Sequence, residues 1–253
     1  IFSNAFAFAA LKSDGSVQVW GDASYGGADP NIGAGSGVTE IFSTYEAFAA
    51  LKSDGTVVAW GSGDSATAPA GLSDVVEIVS TGAAFVALKS DGSVQAWGLS
   101  GQYEYGGSAP AGLTGVTKIF STNYAFAALK SDGSVQAWGN SDYGGTTPYI
   151  DSGVTKIFSS HDAFAALKDD GSVKAWGRSG YGGGNSRIYA GSGVVEIFST
   201  DSAFAALKSD GSVKVWGNSW NGGTDPNIGA GSGITKIFSN AFAFAALKSD
   251  GSV

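Results

Sequence analysis

The chain holds few side chains that could do chemistry. It has one histidine, His161, and no cysteine. A zinc site built by the protein needs three or four such ligands, so no metal site is expected. A serine–histidine–aspartate arrangement can be drawn only through His161. That residue occupies a position held by unrelated residues in every matching segment of the chain, so it reads as an exposed loop residue whose replacement leaves function unchanged. Recurring Asp-Gly pairs suggest calcium, but each supplies one carboxylate where a calcium loop spaces several oxygen ligands. No Gly-x-x-x-x-Gly-Lys-Ser/Thr phosphate loop is present. No catalytic residue and no cofactor is expected, and the chain does not read as an enzyme. Recurring tryptophans could stack on sugars, and recurring Lys-Ser-Asp-Gly could form a charged ring. The plainer reading puts the tryptophans in the core between sheets and the Asp-Gly pairs in turns, with the lysines as solvated strand ends.

Charge and composition narrow the partners. The formal charge is −8 and the isoelectric point is near 4.5. Nucleic acid and anionic lipid call for a basic face, so neither is an expected partner. The 40 glycines follow no G-X-Y period, which excludes collagen. A hydrophobic fraction of 43% with 12% aromatics argues against disorder. No apolar run approaches the roughly 20 residues of a membrane helix, so no membrane insertion is expected. No signal peptide opens the chain. The chain has no methionine and starts at Ile1 in mid-pattern, so it reads as a processed product or a piece of something longer. An absence of cysteine suits both a large surface protein and a cytosolic one.

What must position these residues is a repeat. The core Leu-Lys-Ser-Asp-Gly-Ser-Val recurs with its glycine at Gly15, Gly55, Gly92, Gly133, Gly171, Gly211 and Gly251, at spacings of 40, 37, 41, 38, 40 and 40 residues. Asp169 and Thr56 are small departures from it. Six of the seven copies run on to Trp-Gly, at Trp20, Trp60, Trp97, Trp138, Trp176 and Trp216. In the fifth copy, Val154–Ser159 and Ala163–Lys168 read as strands, Asp170-Gly171 as a hairpin turn, and Ser172–Trp176 as a third strand. A short fourth strand is expected after Tyr181–Gly183. The second strand is apolar on both faces, with Phe164 and Ala166 on one and Ala165 and Leu167 on the other, so its sheet must lie between neighbours. No sustained 3.6 period points to helix.

The unit resembles the RCC1-like repeat. The matching residues include Ile119, Ala125–Leu129, Asp132-Gly133, Val135–Gly139 and Tyr143-Gly144, and the likeness runs along essentially the whole chain. It implies an all-β, seven-bladed propeller of about 40-residue repeats with four-stranded blades. The alternative is an open β-repeat array or solenoid, an excerpt of a filament. Short, nearly identical copies of this kind are similar to those of very large bacterial surface proteins. The family's histidine before the second strand is absent, its place taken by Phe6, Glu46, Ala83, Tyr124, Asp162, Ser202 and Phe242. The family's best-known member is an exchange factor for a small GTPase and binds chromatin. Neither role is expected here, since the basic surface is missing.

The copies also serve as controls for one another. Strands and turns barely vary, whereas the loop between the first two strands varies completely: Ala5-Phe6, Tyr45-Glu46, Gly82-Ala83, Asn123-Tyr124, His161-Asp162, Asp201-Ser202 and Ala241-Phe242. The segment after Trp-Gly varies too, from Asp22–Ser24 to Leu99–Glu104. Both connections belong on one edge of an up-and-down sheet, opposite the Asp-Gly turns. That variable rim is the candidate partner-binding surface, with Tyr45, Glu46, Tyr105, Asn123, Tyr124, Tyr143, His161, Asp162, Tyr181, Asp201 and Trp220 as its residues. Trp220 replaces the loop tyrosine of other copies and is expected to be exposed. Neutral drift in loops that carry no packing is the competing account of the variation.

Residues 1–253 are read as a single repeat domain of six full repeats and a truncated seventh. Residues 1–17 recur unchanged as residues 237–253, six repeat units on. The resemblance favours a closed ring; the broken-off seventh unit favours an excerpt, and the ring is preferred because an open end exposes an apolar face and an unpaired edge. The expected function is a non-enzymatic structural or adhesive repeat module outside the cell or on its surface. The alternative is a propeller scaffold that binds a protein or glycan through the variable rim. Self-association through sheet edges is a further possible contact.

Overall fold

The computed structural model describes residues 1–100, 105–150, 152–184 and 186–253. The described residues fold as consecutive antiparallel sheets, one per repeat: six of three strands and a last one of two. In the fifth repeat the strands are Val154–Ser159, Ala163–Lys168 and Val173–Gly177. The first repeat has a short first strand, Phe2–Ser3, and the seventh consists of Ile234–Ser239 and Phe244–Lys248. No helix among the described residues is long and apolar enough to cross a membrane.

The Asp-Gly turn sets the register of each hairpin. In the fourth repeat the Lys130 N–H donates to Ser134 O at 3.0 Å, and the Gly133 N–H to Lys130 O at 2.9 Å. Gly133 takes φ +76°, the left-handed position that closes a three-residue loop. Asp132 Oδ1 accepts from both the backbone N–H of Ser134 at 2.9 Å and its hydroxyl at 2.6 Å. The carboxylate is thereby occupied within its own turn.

The central strand is the core. Phe48, Phe85, Phe126, Phe164 and Phe204 are fully buried, as are the alanines beside them. Each of these rings stacks on the tryptophan of its own third strand, at 5.1 to 5.5 Å between centroids. The two are paired across the ladder, as Phe164 and Trp176 show. The indole N–H reaches back to the preceding repeat: Trp60 to Gly26 O, Trp97 to Ser65 O, Trp138 to Gly106 O, Trp176 to Gly144 O and Trp216 to Gly182 O, at 3.0 to 3.2 Å. A recurring tryptophan is thus core packing and inter-repeat tie in one side chain. Trp20 is different, with its first-repeat ring 42% exposed.

The expected fourth strand is reduced to single bonds. In the fifth repeat a 3-10 turn covers Ser179–Tyr181, and one β-bridge joins Val173 to Ile188. Val17 and Val213 make the same lone bond to Ile32 and Ile228. The residue before each isoleucine explains this: Asn31, Arg187 and Asn227 have φ between +53° and +58°, which breaks an extended chain. Pro30 and Pro226 also lack the N–H a ladder needs. In the fourth repeat a side chain does the work, as Thr147 Oγ1 accepts from the Ala137 N–H and donates to its carbonyl.

The chain divides into two compact units, Ile1–Phe126 with Trp138–Asn140, and Ala127–Ala137 with Ser141–Val253. In the first, apolar clusters join successive repeats, for example Ala7, Ile41, Phe48 and Trp60. In the second, Ala165, Ile197, Phe204 and Trp216 belong to repeats joined in the same manner.

Candidate functional site

The variable rim rests on an invariant backbone frame. A short polar residue opens the loop between the first two strands in every repeat: Asn4, Thr44, Thr81, Thr122, Ser160, Thr200 and Asn240. Its side-chain oxygen accepts the N–H three residues on, as Thr122 does from Ala125 at 3.0 Å. The same side chain reaches the second variable segment. Asn4 donates to Tyr25 O at 2.7 Å, Thr81 to Tyr105 O at 2.9 Å and Thr200 to Asn221 O at 2.8 Å. The two segments meet again where the residue after Trp-Gly donates to the second loop residue, for example Asn140 to Tyr124 O at 3.0 Å and Arg178 to Asp162 O at 3.1 Å. This close approach requires the glycine of Trp-Gly. At Gly139 a Cβ would lie 2.7 Å from Tyr124 O, and its φ is +105°. Both variable connections therefore share one edge of each sheet.

A second set of bonds ties the first variable residue of one repeat to that of the next. In the first unit, Ala5 N–H donates to Tyr45 O, Tyr45 to Gly82 O and Gly82 to Asn123 O, at 2.8 to 3.2 Å. In the second, His161 donates to Asp201 O at 3.0 Å and Asp201 to Ala241 O at 3.1 Å. Only main-chain atoms enter this rail, so its bonds do not depend on which side chain a position carries.

On this frame the rim residues form two groups. In the first unit the Tyr45 ring lies across Gly82 and donates its hydroxyl to Asn123 Oδ1 at 2.7 Å. A Cβ at Gly82 would stand 2.5 Å from that ring. Tyr124 packs against Tyr105, with centroids 4.8 Å apart, and Glu46 is exposed. In the second unit Asp162 is buried and binds two neighbours: His161 Nδ1 lies 2.6 Å from one oxygen and Arg178 Nη1 3.3 Å from the other. The Arg178 guanidinium sits 4.3 Å from the Tyr181 ring centre and 5.6 Å from that of Tyr143. Desolvation acts against its charge, yet Tyr181, Tyr143 and Asp162 together raise its pKa. Asp201 and Trp220 are exposed, and the Trp220 N–H is capped by Asn218 Oδ1. Of the variable stretch Leu99–Glu104, residues 101–104 lie outside the described residues.

Two features of the rim went unread in the sequence. The loop-opening Asn, Thr or Ser was visible as a position confined to side chains with a short polar acceptor. Arg178 was visible as the sole arginine following a Trp-Gly.

No protein-family model matches the chain, and no curated protein does. Solved structures do match in fold. The ectodomain of the receptor kinase CR4 from Physcomitrella patens superposes with a TM-score of 0.56 at 14% identity, over 100% of this chain and 69% of that one. Prp20p from Saccharomyces cerevisiae, described with its binding to Gsp1p and histones, gives 0.54 at 15% identity over 97% and 75%. Human WBSCR16 gives 0.54 at 18% identity over 96% and 79%. At such identities the likeness shows the fold alone, and that fold is all-β, of the RCC1-like propeller-repeat class.

Proposed function

We propose that the chain is a non-enzymatic scaffold that binds a protein partner through its variable rim. The observation behind this reading is the division of labour on that edge. The frame is built from main-chain bonds and one short polar residue per repeat, while the side chains set upon it change from repeat to repeat. Tyrosine, arginine and asparagine on a rigid frame are what contact surfaces use. Structural neighbours of this fold include Prp20p, described as binding Gsp1p and histones, and the yeast protein solved with Kap60, which makes protein binding the favoured class. Those particular partners are not carried over, because the chain is acidic.

The setting we propose is extracellular or at the cell surface. A structural or adhesive display module is the second reading, favoured by the near-identity of the strands and Asp-Gly turns. A glycan in place of a protein is the alternative occupant of the rim. One experiment separates these. A photo-crosslinking residue is placed at Tyr124 on the rim, or at Ser131 in an Asp-Gly turn, and the chain is titrated against a candidate partner. Saturable, stoichiometric crosslinking from position 124 alone supports the scaffold. Equal crosslinking from both positions, or chains that only polymerise, overturns it.

A further inference from the structure

We infer that Arg178, His161 and the rings of Tyr143 and Tyr181 form a clamp for the carboxylate of an acidic peptide segment. The inference rests on the protein-binding reading above and names the chemistry that one part of the rim takes. Asp162 is the organising residue. Its side chain is 6% exposed, whereas those of His161 and Arg178 are 50% and 46% exposed. A buried carboxylate thus holds two half-exposed donors by their inner atoms. Its bond to Nδ1 assigns the ring proton there and turns Nε2 to the far side of the ring. Its bond to Nη1 uses one of the five N–H groups of the guanidinium and leaves the planar fork with donors to spare.

The tyrosines complete the arrangement. Tyr181 comes from the loop of the same repeat as Arg178, and Tyr143 from the loop before it. Both rings lie within cation–π range of the guanidinium, which fixes its long side chain and lowers the entropy lost on binding. The result is a guanidinium fork held beside two aromatic rings, an arrangement that suits bidentate capture of a carboxylate. Arg178 is one of only two arginines in a chain of net charge −8, so a guanidinium fork is a rare group on it. Tyrosine and arginine together are also the residues that dominate protein interfaces energetically, which favours a peptide over a sugar acid.

His161 makes the test direct, since a chain with one histidine gives a single imidazole signal. That signal is followed by NMR in the full chain during titration with acetyl-Gly-Glu-Tyr-Glu-Gly-amide, and with the same peptide carrying Gln for Glu. The expected result is a saturable shift with the Glu peptide and none with the Gln peptide. Arg178→Lys, which keeps the charge but loses the fork, should weaken the response about tenfold. Arg178→Ala should abolish it, with circular dichroism confirming the fold of both variants. Equal response to the Gln peptide, or unchanged binding in Arg178→Lys, overturns the clamp. So does a response to a uronic-acid oligosaccharide with none to the Glu peptide. If the peptide fails while crosslinking from position 124 remains saturable, the clamp alone falls. If position 124 shows no specific crosslinking either, the scaffold reading falls with it.

Discussion

Trp138 shows how much one side chain carries in this repeat. Its ring is 6% exposed, stacks on Phe126 and donates to Gly106 O at 3.1 Å. Replacing it with alanine leaves a large cavity and takes the donor from a buried carbonyl, so Trp138→Ala should destabilise by about 3–5 kcal/mol in urea denaturation. Trp20→Ala, at a ring 42% exposed, should lose less than half as much. A loss below about 1 kcal/mol for Trp138 would mean that the tryptophans do not hold the repeats together, and would return sugar stacking to consideration. Gly82→Ala tests a smaller contact. The new methyl collides with the Tyr45 ring, whose exposed end can swing away, so the expected loss is only about 1 kcal/mol. The Tyr45–Asn123 bond should break, read as a changed environment for the Asn123 side-chain amide by NMR. Recurrence made the tryptophans legible, because six near-copies carry the residue at the same place and five of them bury it. It hid the Asp162 cluster, whose partners come from loops of two repeats and occur together once.

The turn is the element with a pH dependence of its own. Asp14, Asp54, Asp91, Asp132, Asp170, Asp210 and Asp250 all have carboxyl pKa values lowered from the usual range. In six of them the hydroxyl of the Ser or Thr two residues on is the main cause and its backbone N–H the next; in Asp250 the order is reversed. A carboxyl with a lower pKa in the folded state than in the unfolded one adds stability in full above its unfolded value, about 3.9, and loses it as pH falls through the folded values. Glu77 works the other way: burial raises its pKa, Lys118 opposes and Glu40 adds, so acid relieves it. These seven losses, with an eighth at Asp225, outweigh the one gain, and the protein should be destabilised from about pH 5 to pH 2. Exchanging Ser16, Ser93, Ser134, Ser172 and Ser212 for alanine should lower stability at pH 6 and flatten that decline. A decline as steep as in the parent chain would remove the turns as its source. Strands and turns were readable because β-branched and aromatic runs bracket each Asp-Gly pair. The loss of the fourth strand is not legible, because a segment of suitable length says nothing of a left-handed residue at Asn31, Arg187 or Asn227.

At the scale of the whole molecule, stability in a repeat protein is a sum of weak units and strong joints between them. The central strands show where the joints protect. In the first unit Phe8 is exposed, while Phe48 and Phe85 at the matching positions are fully buried. In the second unit Phe164 and Phe204 are fully buried, while Phe244 is partly exposed. Opening free energy follows burial and packing, so amide exchange should report the same gradient. Within the first unit the amides of Ala7–Leu11 should exchange faster than those of Ala84–Lys89. Within the second, Phe244–Lys248 should exchange faster than Ala163–Lys168. Ala7–Leu11 pairs with a first strand of only two residues and Phe244–Lys248 with a single strand, so fewer ladder bonds and less packing from a neighbouring repeat act in the same direction. Trp97→Ala then becomes the control. It removes the joint through Ser65 O, and should speed exchange in Ala84–Lys89 toward the rate of Ala7–Leu11 while leaving the first repeat unchanged. Uniform exchange along the chain, or a first repeat that weakens equally in that variant, would show a single cooperative unit instead of coupled repeats.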